Sequence, residues 1–293
     1  MRGANVILSI LVACLFLTPA VSAQSFLDWD MPWVGEIPDL EVKDWSVGQY
    51  VTYKATVNYE EENLEGSVRL ALVGQDIVEG EDFYWFELDL FDISDLPEDF
   101  SGIDAGAFKI KLLIKEYDLK ATEVDPEQLI QDIFSMKFIN RVIFQLNDDE
   151  PMEIDSSILE MFSQMMDPEM LMQDMSSEKP DEIMDMIDDL DWGVDYTNVN
   201  TPAGSFSDAM NIWVAGGDET GEAKLNIYCA EDLPISGLVK LDGSFTDSYS
   251  EESVDFVLEL IEYGNDAESW VEGTPVLFSF ENMMGGMGGF GGM

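Results

Sequence analysis

From Val47 onward the chain alternates between apolar and polar positions. Val51, Tyr53, Ala55, Val57 and Tyr59 fall on one face of a two-residue period, and Thr52, Lys54, Thr56 and Asn58 on the other. This is the pattern of a strand with one buried and one solvated side. The rhythm returns in Val68, Leu70 and Leu72, then in Tyr84, Phe86, Leu88 and Leu90, where Glu79-Gly80 reads as the preceding turn. It returns again in Ile110, Leu112 and Ile114, and in Val142, Phe144 and Leu146. Later runs are Met210, Ile212 and Val214; Leu225, Ile227 and Cys229; Leu238 to Leu241; and Val254, Phe256, Leu258 and Leu260. The pattern predicts about nine strands, one face apolar and the other wet. No copy recurs at a fixed period, which disfavours a propeller or solenoid.

Two stretches change to helical spacing. In 126–134, Pro126 suits a first turn, and Leu129, Ile130 and Ile133 share a face. The longer stretch is 152–191. There Ser157-Ile158-Leu159-Glu160 has the form of a capping box, and Ile158, Phe162 and Met165 recur at helical intervals. Pro168 and Pro180 punctuate it, and Ile183, Met186, Ile187 and Leu190 form a second stripe. The expected fold class is therefore α+β, mainly β. It is a curved antiparallel sheet of about nine strands, with a helical insertion at about 150–191.

The ends differ from this body. Met1-Arg2 and the apolar run Val6–Leu17 are too short for a membrane span, and Val21-Ser22-Ala23 is the small-x-small pattern read by signal peptidase. Residues 1–23 thus read as a signal peptide, with export to the periplasm, cell surface or medium. A rival reading treats Leu11-Val12-Ala13-Cys14 as a lipobox that would acylate Cys14. The apolar Leu15-Phe16-Leu17 that follows argues for ordinary cleavage. Residues 24–45 form an extended aromatic leader with Trp29, Trp33 and Trp45, residues 46–280 a single domain, and 281–293 a disordered Gly/Met tail. No later apolar run is long enough to span a bilayer, so an integral membrane protein is not expected.

Composition narrows the chemistry. The 293 residues hold 61 Asp+Glu, 13 Lys+Arg and no His, a formal charge of −48. Without His there is no Ser-His-Asp triad, Cys-His pair or histidine-ligated metal, and this charge opposes nucleic acid and anionic membrane surfaces. At 46% apolar residues a core can still form. Repulsion at such a charge should disfavour self-association, so a monomer is expected. Salt should also stabilise the fold; a melting temperature flat between low and molar salt would contradict this. Cys229 is the one cysteine after cleavage; lying with Leu225 and Ile227, it reads as a buried thiol, not a nucleophile.

Other candidates are weaker. Carboxylate pairs are too numerous to single out an acid and a base. No EF-hand fits: around Gly193 the ligand positions fall on Asp188, Leu190 and Trp192. Lys109, Lys111, Lys115, Lys120, Lys137 and Arg141 could form an anion-binding strip, but fit better as an outward face pairing with acidic neighbours. No catalytic residue, metal site or cofactor is expected. The most unusual feature is methionine: Met152, Met161, Met165, Met166, Met170, Met172, Met175, Met184 and Met186 are nine of the chain's 17. Thioethers select Cu(I), but hard Asp and Glu ligands interleave them. They also make a pliable surface for a lipid-like ligand, or plain filling between helix and sheet.

Four segments carry a resemblance: Val47-Gly48-Gln49-Tyr50-Val51-Thr52-Tyr53; Thr201-Pro202-Ala203-Gly204-Ser205-Phe206; Glu231-Asp232-Leu233-Pro234-Ile235-Ser236-Gly237-Leu238-Val239-Lys240; and Glu259-Leu260-Ile261-Glu262-Tyr263-Gly264. Their order resembles uncharacterised exported bacterial and archaeal proteins. The sheet of those proteins is similar to the half-barrel of the periplasmic lipoprotein carriers and the mycobacterial lipid-binding lipoproteins. The likeness covers roughly 46–264 and consists of turn and strand signatures, so it speaks to fold. It implies that the sheet here is a half-barrel, with the helical insertion packed on its concave face as a lid and acyl chains between them. The expected function is non-enzymatic binding or carriage of a hydrophobic ligand. Ile158, Phe162, Met165, Met166, Ile183, Met186 and Ile187 would form the lid wall, opposed by Tyr84, Phe86, Ile110, Leu112, Phe144 and Leu258. The alternative is an acidic structural or envelope-associated protein with a filled core.

Overall fold

A computed structural model describes residues 44–59, 62–94, 108–115, 139–159, 191–218, 221–231, 233–247 and 253–279. The alternating runs become strands β1 (Tyr50–Tyr59), β2 (Glu62–Val78), β3 (Glu81–Ser94), β4 (Phe108–Lys115) and β5 (Ile139–Leu146). They continue as β6 (Met152–Ile154), β7 (Asp191–Thr201), β8 (Gly204–Asp218), β9 (Gly221–Cys229), β10 (Leu238–Asp247), β11 (Ser253–Gly264) and β12 (Val276–Phe278). All join one open sheet in the order β12-β6-β5-β4-β3-β2-β1-β11-β10-β9-β8-β7.

Two meanders build this sheet. Each of β1 to β5 pairs antiparallel with the next, and so does each of β7 to β10. The β2–β3 hairpin is tight: Glu79 (φ 55°) and Gly80 (φ 92°) both take the left-handed conformation that a two-residue turn requires. Two contacts join distant sequence, β1 with β11 (antiparallel) and β12 with β6 (parallel). At the β7 end the sheet curls over its apolar face. Ala203 N–H, at the tip of the β7–β8 hairpin, donates to Leu260 O at 3.3 Å, and the Phe206 ring comes within 6.4 Å of Tyr263.

The apolar face carries the core. Val51 and Tyr53 from β1, Leu70 and Leu72 from β2, Leu238 and Leu241 from β10, and Leu258 and Leu260 from β11 are each at most 2% exposed. Burial of this order, at ~25 cal/mol per Å² of apolar surface, is the main force holding the sheet together.

Four expectations are corrected. The sheet has twelve strands among the described residues, not nine. β6 and β12 are too short for alternation to reveal, and β7 is an acidic edge strand whose Trp192, Val194 and Tyr196 alternate around Gly193. Within the expected insertion, 152–154 and 191 are strand, a single helical turn stands at 156–159, and 160–190 lie outside the described residues. Its cap is Asp155, not Ser157: Asp155 Oδ1 accepts Ser157 N–H at 2.9 Å, and its carbonyl accepts from Ile158 and Leu159. Finally, the outer face is not uniformly wet. Residues 265–279 cross it from β1 to β6 as a strap and bury Arg69, Glu87, Asp89 and Gln145. The helix expected at 126–134, the leader before Asp44, the signal segment with Cys14 and the Gly/Met tail all lie outside the described residues.

Candidate functional site

The four motif segments meet around Tyr53. Gly48 (φ 97°) lets the strap begin against β1, since a Cβ there would lie 2.5 Å from Asn265 O. Gln49, 1% exposed, holds the turn before β1: its Nε2 donates to Asp44 O and its Oε1 accepts Ser46 N–H. The β7–β8 tip reaches Leu260 from one side. From the other, residues 230–237 fold onto the apolar face as a loop closed by Ala230 N–H donating to Gly237 O at 2.8 Å. That loop buries Leu233 and Ile235 against the core. Ile235 sits at φ 66°, a strained conformation for a β-branched residue, within a tight turn in which Ser236 N–H donates to Pro234 O.

Beneath the loop, Tyr53 O–H donates to Leu238 O at 2.9 Å and lies 3.1 Å from Ser236 Oγ, which also accepts Leu238 N–H. Burial pushes the Tyr53 phenol well above its ordinary value, and pushes the Cys229 thiol up to about 12. Both therefore stay protonated at neutral pH. The convergence is a structural keystone, with neither a phenolate nor a thiolate to offer.

Of the residues expected to line a ligand, Phe86, Leu112 and Leu258 are buried among core side chains. Tyr84, Ile110 and Phe144 are half-buried, and Tyr84 packs edge-on against Trp45 at 5.8 Å. These six share the apolar face. Ile158 is buried at the helical turn that follows β6. Phe162, Met165, Met166, Ile183, Met186 and Ile187 lie outside the described residues. The face is thus uneven: sealed around Tyr53, and half-buried at Ile110, Ile139, Val142 and Phe144 of β4 and β5, beside the buried Leu112 and Ile114.

Among the described residues of the expected basic strip, the side chains engage acids or the strap, while Lys120 and Lys137 lie outside the described residues. Lys115 pairs with Glu81 at 2.7 Å, and Arg141 grips both oxygens of Glu153 at 2.7 and 2.8 Å, which holds the Glu153 carboxyl below the usual range. Among the described residues no group of three His, Cys, Asp or Glu side chains is placed to hold a metal, and no helix is long and apolar enough to cross a membrane. Sequence reasoning missed the buried Arg69, Glu87 and Asp89 entirely. Each occupies an ordinary polar strand position, and nothing local announces that the strap will cover it. The apolar Leu233 and Ile235 within a turn-rich segment were a readable hint that residues 230–237 fold inward.

No protein-family model matches the chain, and no curated protein matches it. Among solved structures, a candidate lipoprotein from Parabacteroides distasonis is similar at 12% identity and a TM-score of 0.27, covering 75% of this chain and 96% of that one. A candidate exported protein with a YmcC-like fold from Bacteroides fragilis is similar at 10% identity and a TM-score of 0.30, covering 77% and 99%. A likeness at that level transfers no role to this chain.

Proposed function

We propose that this is an exported, non-enzymatic protein that binds a hydrophobic, lipid-like ligand along the β4–β6 flank of its apolar face. The supporting observation is the unevenness of that face. Side chains as apolar as Ile110, Val142 and Phe144 remain half-buried there, while their counterparts around Tyr53 are sealed. The chain enters its methionine-rich segment one turn beyond β6, at Ile158, on the edge of the same flank. Methionine side chains re-pack at low cost around ligands of varied shape. The signal-peptide pattern at 1–23 supplies the reading of export.

Native mass spectrometry and lipid extraction of the purified protein test the proposal. Co-purifying or exchangeable lipid is expected; its repeated absence would overturn the reading. The sealed centre favours the second reading, an acidic structural protein with a filled core. That reading predicts no binding of an apolar probe dye.

A further inference from the structure

The strap is fastened to the outer face by polar groups from successive strands. Ala267 N–H donates to Gly48 O at 2.8 Å, and Arg69 Nη2 to Glu268 O at 2.9 Å. Ser269 Oγ–H and Trp270 N–H donate to the two oxygens of Glu87, each at 2.6 Å. Gln145 accepts Glu272 N–H at 3.1 Å and donates back to Glu272 O. The Trp270 ring covers the Arg69 guanidinium at 4.3 Å and meets Phe91 edge-on.

Beneath the strap the charges do not balance. Arg69 Nη1 donates to Asp89 Oδ2 at 2.7 Å and lies 3.4 Å from Glu87 Oε1, so one guanidinium serves two carboxyl groups that are both fully buried. Asp89 Oδ1 is buried with no hydrogen-bond partner. From β4, Lys109 stands opposite Asp89 and Lys111 opposite Glu87 in the register, but their ammonium groups donate to Trp270 O and Ser269 Oγ of the strap. From β1, Tyr50 lies against Arg69 at 5.8 Å. The strap's own Asp266, Glu268 and Glu272 are exposed.

We propose that residues 265–279 are a clasp tightened by a proton on Asp89. With Asp89 neutral, Arg69 and Glu87 form a balanced buried pair and the strap sits down on them. With Asp89 ionised, one negative charge is left buried with an oxygen that no donor meets, and the strap loosens to admit water. Burial first, and then the Glu87 carboxylate, push Asp89 up to about 7, against the pull of Arg69 and Lys109. A raised carboxyl stabilises the closed form fully below its ordinary value near pH ~4, and that contribution is lost as pH rises through about 7.

The far end of the clasp reaches the proposed ligand flank. β12 pairs with β6, Phe278 O accepts Asp155 N–H at 3.0 Å, and the Phe278 ring meets Phe144 edge-on at 6.2 Å. Control of ligand access by the clasp rests on the ligand reading above; the clasp itself does not.

Hydrogen–deuterium exchange of the full chain, corrected at each pH with an unfolded control, tests it. Protection of strap peptides should fall about tenfold or more between pH 5 and pH 7, while β10–β11 peptides keep theirs. Asp89→Asn, which cannot ionise, should abolish that fall. A flat wild-type profile, or an Asp89→Asn profile as steep as wild type, overturns the clasp. Should Asp89→Asn not fold, Glu87→Gln must move the transition to lower pH, and an unmoved transition overturns the clasp equally. Lipid exchange measured over the same range separates the two proposals. A loosening strap with no lipid exchange sinks the ligand and leaves the clasp, and a flat strap with lipid exchange does the reverse.

Discussion

The centre of the sheet and its β4–β6 flank are closed differently. Around Tyr53 the inner face is sealed by the 230–237 loop and the β7–β8 tip, and on the outer face Thr52 and Arg69 are buried while Lys54 and Glu65, paired at 2.8 Å, stay exposed. Along the flank the strap closes the outer face over Gln145, and the inner face keeps Ile110, Val142 and Phe144 half-buried. A twisted sheet leaves two faces to cover, and here distant pieces of chain cover both at the centre and the outer one along the flank. The lesson concerns where change is tolerated. The centre depends on packing inside, and the flank on charges and hydrogen bonds outside.

The contrast can be broken at several points. The largest effect is expected from Arg69→Leu, which leaves Glu87 and Asp89 buried without their cation and should cost ~3–5 kcal/mol in urea unfolding. A loss below ~1 kcal/mol would show that the strap does not seal them. Next, Leu260→Ala in the centre should cost ~3 kcal/mol, and Val142→Ala on the flank ~1 kcal/mol. Equal losses would erase the distinction between sealed and half-buried zones. Tyr53→Phe should cost ~1–2 kcal/mol, because it strips a buried donor from Leu238 O and a partner from Ser236. A neutral result there would mean that water reaches the space beneath the loop.

Much of the sheet could be read from the chain. Runs such as Val51, Tyr53, Ala55 and Val57 have a period that only a half-buried strand explains, and they form β1; the Glu79-Gly80 turn appears where its residues allow left-handed backbone. Buried Cys229 followed from its company on that face. The short β6 and β12 could not be read, because three residues hold too little alternation to stand out. Asp155 replaced Ser157 as the cap because β6 ends just before it, a boundary set by pairing with β5 and β12. The candidate site was less legible still. Tyr84, Ile110 and Phe144 were rightly placed on one apolar face with Phe86, Leu112 and Leu258, but their unequal burial depends on which distant loop lies over each.

What the chain determined alone was local: the period of its strands, the positions of its tight turns, its excess of acid, and the chemistries that a lack of histidine forbids. Strand periodicity and turn conformation arise from neighbouring residues, so neighbouring residues reveal them. Tertiary structure alone decided that β1 lies beside β11, that residues 230–237 roof Tyr53, and that a terminal strap buries Arg69 between two carboxyl groups. Those outcomes depend on contacts between segments as much as 219 positions apart, as in Gly48 with Ala267. At that range a charged residue carries no local mark of whether water or protein will surround it.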